Sequence, residues 1–134
     1  MAHRPAGGLT GEEAREATRR VLAAHGVIGP DLDDALLVVT ELVSNARRHA
    51  GGVTAFRIRC RPPRAAIEVS DADQGVPVHC PAAADVPGRF GWLVVNRLAE
   101  HVTVETGPSG KTITVVVAAR TDVEAPAALH GPPW

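Results

Sequence analysis

At 134 residues the chain has room for one domain with a buried core. Its 45% apolar and 22% charged residues are ordinary for a globular protein, and a net charge of −1 excludes bulk attraction to nucleic acid or acidic membranes. Two Trp, two Phe and no Tyr leave little to stack on single-stranded bases.

Residues 1–9 carry no pattern and are expected to be flexible. Thr10 and Glu13 form the S/T-x-x-E signature of a capping box. It predicts a helix to about His25, with Ala14, Ala17, Val21 and Leu22 on one side and Gly26 as a stop. A second helix is predicted over "DLDDALLVVTELVSNARRHA", with Asp31 as its N-cap and Gly51-Gly52 at its end. Two strands follow. In "VTAFRIRCR", Phe56, Ile58 and Cys60 alternate with arginines; in "AAIEVSD", Ala65, Ile67, Val69 and Asp71 are in phase.

Residues 72–88 read as a Gly/Pro-containing loop, and "FGWLVVNRLAEH" as a third helix presenting Phe90, Val94 and Leu98, with Leu93 beside them. "HVTVET" and "ITVVVAA" read as two strands. The "GPSGKT" between them ends like a phosphate-binding loop, but its first glycine position is Glu105 and a strand follows it. Gly107-Pro108-Ser109-Gly110 is therefore read as a hairpin turn. Residues 119–134 have little pattern and are expected to be flexible. The order α-α-β-β-α-β-β predicts an α+β, two-layer sandwich, a mixed but mostly antiparallel sheet with helices on one face.

"MAHRPAGGLTGEEA" lacks the apolar run of a secretion signal, so the chain is expected in the cytoplasm with Cys60 and Cys80 reduced. No stretch has the length of a membrane span. His79-Cys80 has no second pair to complete a metal site.

Three features stand out for chemistry. Glu41, Asn45 and His49 recur every four residues and advance only about 40° per step, which lines them up beside the apolar stripe of the second helix. Asp71 falls on the covered face of its strand, where a carboxylate needs a partner; it either opens a turn or floors a ligand pocket. Gly88-Arg89-Phe90-Gly91 precedes a helix whose N-terminus would favour an anion.

Together these features resemble the GHKL ATPase superfamily. "ELVSNARRHA" is similar to its N-box, "EVSDADQGVP" to its G1 box, "GRFGWLVVNRLAE" to its G2 box and "SGKTITVVV" to its last strand. The resemblance spans residues 10–118 and is nearest to stand-alone anti-sigma-factor serine/threonine kinases of the actinobacterial ATP-binding regulator type. It implies the Bergerat fold with ATP and Mg²⁺ as cofactors. Asn45 would be the metal ligand and Glu41 the general base, with His49 near the phosphates or ribose. Asp71 would accept from the adenine amino group, Thr112 would share that contact, and Gly75, Gly88 and Gly91 would frame the phosphate lid.

The implied function is a regulatory kinase. It would phosphorylate a STAS-domain antagonist and control a sigma factor, with a homodimer as a possible assembly and no direct role for nucleic acid or membrane. One departure supports an alternative: Asp73 replaces the first glycine of D-x-G-x-G, which fits a non-catalytic ATP-responsive, or nucleotide-free, binding module on the same fold.

Overall fold

The computed structural model describes residues 8–73 and 90–121, with the backbone alone for Phe90 and Gly91. Helix α1 runs Gly11–Ala24. Its capping box is complete: the Glu13 N–H donates to Thr10 Oγ1 at 3.1 Å and the Thr10 N–H to Glu13 Oε1 at 3.0 Å. These contacts satisfy two of the donors that every helix start leaves open. Ala14, Ala17, Thr18 and Leu22 are buried.

Helix α2 runs Pro30–Ala50, and its start differs from the sequence expectation. The N-cap is Gly29, without a side-chain cap, and Pro30 takes the first helical position, where a missing N–H costs nothing. Asp31 lies one residue inside the helix, where Pro30's fixed φ has already started the turn. Its carboxylate accepts from the Arg120 backbone N–H at 2.9 Å and from Arg120 Nε and Nη2 at 2.8 Å each. These bonds hold the Asp31 carboxyl below its ordinary 3.8, against the opposing effect of burial. They also tie the chain after the last strand to the start of α2. At its other end α2 stops at Gly51, in the left-handed conformation with φ 76°.

Strands β1 (Val53–Arg61), β2 (Arg64–Asp71), β3 (His101–Gly107) and β4 (Gly110–Ala118) form one sheet in the order β1-β2-β4-β3. The three pairings among the described residues are all antiparallel, so the sheet is not mixed there. The alternation expected from the sequence holds. Phe56, Ile58 and Cys60 on β1, Ala65, Ile67 and Val69 on β2, and Ile113, Val115 and Val117 on β4 are buried. They meet Ala35, Val38, Val39, Leu42, Val43 and Ala46 of α2, which packs across β1, β2 and β4. Each fully buried Leu, Ile, Val or Phe here contributes about 1.5–3 kcal/mol. The opposite face carries the exposed Arg57 and Arg59, the latter paired with Glu68 at 2.7 Å.

Helix α3 (Phe90–Leu98) packs against α2; of the face expected from the sequence, the Phe90 side chain lies outside the described residues. Trp92 and Val95 are the buried side chains, while Leu93 and Val94 are half-buried and Leu98 packs partly against the core. Six of its nine residues are large and apolar, so more than one face fits a helical period. The residues 107–110 hairpin reading is correct: Gly107 pairs with Gly110 across the β3–β4 turn, and the turn leads into strand β4 where a phosphate loop would lead into a helix.

Candidate nucleotide site

The site is set by how α2 hands over to the sheet. After Ala50, two glycines turn the chain, the Gly52 N–H donating to Ala46 O at 3.1 Å, and Val53 begins β1 directly opposite Asp71. The C-terminal turns of α2 and the last residue of β2 therefore lie at one end of the molecule. Glu41 and Asn45 are half-buried on α2, and His49, in its last turn, is exposed. The half-burial of Glu41 and Asn45 agrees with a position beside the apolar stripe; Asn45 and His49 lie in the last turns of α2, which lead to the end that carries Asp71, while Glu41 sits near the middle of the helix.

Asp71 is 3% exposed, on the covered face with Ile67 and Val69. Its partner is a residue that the sequence reading passed over. Lys111 sits opposite Asp71 in the β2–β4 register, and its Nζ donates to Asp71 Oδ1 at 3.0 Å. The Asp73 N–H donates to the same oxygen at 2.9 Å, while Lys111 Nζ also donates to the Asp73 carbonyl at 3.2 Å. Lys111 is 5% exposed, so both charges of the pair are withdrawn from water and each depends on the other.

Thr112 is not beside Asp71. It lies one residue out of phase with the buried side of β4, on the open face of the sheet, with its Oγ1 2.7 Å from Ser70 Oγ. The expectation that Thr112 shares the Asp71 contact is corrected on this point, because strand alternation turns 112 away and 111 inward. The phase was already legible: Ile113, Val115 and Val117 are the buried set, and period two extends that set to residue 111.

Gly75 and Gly88, like His79 and Cys80, lie outside the described residues. Gly91 is the second residue of α3, and only its backbone is described. Among the described residues no three His, Cys, Asp or Glu side chains gather to hold a metal, and no helix is long and apolar enough to cross a membrane.

Residues 10–117 match the family described as the histidine kinase-like ATPase domain. Among solved structures, the histidine kinase domain of a blue-light activated histidine kinase from Erythrobacter litoralis is similar at 17% identity and a TM-score of 0.51, over 81% of this chain and 60% of that one. The histidine kinase AdeS of Acinetobacter baumannii aligns at 14% identity and a TM-score of 0.47, over 81% of this chain and 62% of that one. The chain thus spans about three-fifths of the length of either structure, 60% and 62%. Comparison with the curated proteins gives no match. The first structural likeness concerns the fold, and the family match covers nearly every element described above. The chain belongs to the histidine kinase-like ATPase family of the GHKL superfamily, and its two-layer α+β sandwich is that family's fold.

Proposed function

We propose that this chain is an ATP-binding regulatory serine/threonine kinase of the anti-sigma-factor type, acting in the cytoplasm on a STAS-domain antagonist and so controlling a sigma factor. What supports the nucleotide part is Asp71, a carboxylate buried on the covered face at the end of β2, together with Asn45 in the C-terminal part of α2, the helix that leads into β1 opposite Asp71. The donor set fits Mg-ATP. Asn45 supplies a side-chain amide oxygen, which suits a hard cation. Asp71 is an acceptor-only group, of the kind that reads a base amine. Bound Mg²⁺ would be held through Asn45 and would neutralise phosphate charge.

In the transfer step Glu41 takes the proton from the substrate serine hydroxyl. The serine oxygen then bonds to the γ-phosphorus as the bond to the β–γ bridging oxygen breaks and ADP leaves. Base catalysis of this kind contributes about 10²–10⁴-fold. The test is transfer of labelled phosphate from Mg-ATP to a STAS-domain antagonist. Transfer that is lost in Glu41→Ala supports the kinase; no transfer, or transfer unaffected by Glu41→Ala, refutes it.

A second reading, a non-catalytic ATP-responsive module, is favoured by Asp73 in the G1 segment and by the ammonium already held on Asp71. Binding that is lost in Asn45→Ala, with function unchanged in Glu41→Ala, supports it.

A further inference from the structure

We propose that Lys111 sets the base preference of this site: it takes the place of a purine amine on Asp71, so that the site binds 6-amino and 6-oxo purine nucleoside triphosphates nearly alike. The inference rests on the nucleotide reading above and adds a determinant to it.

Asp71 Oδ1 receives two donors, the Asp73 N–H at 2.9 Å and Lys111 Nζ at 3.0 Å. A carboxylate oxygen offers about two lone-pair sites, so Oδ1 is full. No hydrogen bond described here ends on Oδ2. Because no fully buried side-chain oxygen or nitrogen lacks a partner among the described residues, Oδ2 keeps contact with accessible space.

The cation is fixed as firmly as the anion. Lys111 Nζ is bound to Asp71 Oδ1 and the Asp73 carbonyl, and Asp73 Oδ2 lies 3.8 Å away. Its side chain is 3% exposed and that of Asp71 2%, so neither can swing into water without opening the core. A lone buried carboxylate discriminates strongly for a ligand amine, since an unmet buried charge is costly. Here that demand is met from within the chain. An amine aimed at Oδ1 must displace Lys111, and one aimed at Oδ2 meets a carboxylate whose charge is already balanced. A 6-oxo group is not rejected, because an ammonium has three donors and no acceptor and so attracts a carbonyl.

The experiment measures Kd for Mg-ATP and Mg-ITP, which differ at the 6-position, on the wild-type chain and on Lys111→Thr. The expected wild-type affinities agree within about threefold, and Lys111→Thr tightens ATP by about tenfold while weakening ITP, one hydrogen bond to a charged group being of that size. A merely structural lysine would weaken both nucleotides together and leave their ratio alone. A wild-type preference for ATP of about tenfold or more, or an unchanged ratio in Lys111→Thr, overturns this inference while the nucleotide reading stands. No binding of either nucleotide to either protein overturns both. If Lys111→Thr does not fold, the wild-type ratio decides.

Discussion

Gly110 packs directly beneath the backbone of Asp71. A Cβ at residue 110 would overlap the Asp71 carbonyl oxygen and stand 2.9 Å from the Ala72 Cα, and the residue has φ +141°, where side chains are strained. Gly110→Ala is expected to cost at least about 3 kcal/mol, since the obstacle is backbone and cannot rotate away. Gly107→Ala, at the other end of the same turn, meets nothing within 4 Å and is expected to stay within about 0.5 kcal/mol. Urea denaturation of the two variants beside wild type checks the contrast. Equal stabilities would show that β2 and β4 can separate at this point without penalty.

That contact also explains why the start of β4 resembles a phosphate loop. Its glycine and lysine look like a phosphate loop, yet the glycine is there for close strand approach and the lysine for Asp71. The alternating strands, the capping box and the Glu41–Asn45–His49 row were legible because each depends on local period or local hydrogen bonding. The Asp71–Lys111 pair was not, because it links residues 40 apart in sequence, although the phase of β4 already turned 111 inward. Asp31 was misassigned as a cap although Pro30, at the first helical position, is a local sign that the cap is Gly29. The partner of Asp31, Arg120, lies 89 residues away, and no local rule anticipates a carboxylate claimed from there.

Asp31 gives a pH signature. Its folded-state value is held below 3.8, mainly by the Arg120 side-chain hydrogen bonds. A depressed carboxylate contributes stability that is fully present above the unfolded value and is lost as pH falls through the folded one. Asp31→Asn is therefore expected to lose about 1 kcal/mol at neutral pH, a figure kept small because the Arg120 side chain is largely exposed. The gap to wild type should close as pH drops below 3.8. Denaturation midpoints across this range are the measurement, and a gap independent of pH would count against the ion pair.

Cys60 should be chemically silent while the chain is folded. It is a free thiol on the core face of β1, and burial pushes it above its ordinary 9.0. The thiolate is the reactive form, so a Cys80→Ser variant should react with a maleimide at least about tenfold more slowly when native than when unfolded in urea. Rapid native labelling would mean that β1 opens readily at the sheet edge. The sign for stability is the reverse of Asp31: a raised thiol favours the fold until pH rises through the folded value.

The Asp71–Lys111 pair can be weighed by a double-mutant cycle on stability alone, without nucleotide. Lys111→Met leaves a carboxylate that is 3% exposed without its cation, and Asp71→Asn leaves an equally buried ammonium without its anion. Breaking a buried pair from one side typically costs about 3–5 kcal/mol, whereas removing both charges costs less because neither is stranded. The Asp71→Asn/Lys111→Met protein should therefore be more stable than the sum of the single losses by at least about 2 kcal/mol. Asp71 retains the Asp73 N–H at 2.9 Å whatever stands at 111, so Lys111→Met is expected to be the milder single change. Additive losses would mean that the two side chains are held by their surroundings and not by each other. The base-reading role argued for Lys111 would then lose its physical footing, because a cation that is not bound to Asp71 cannot stand in for an amine there.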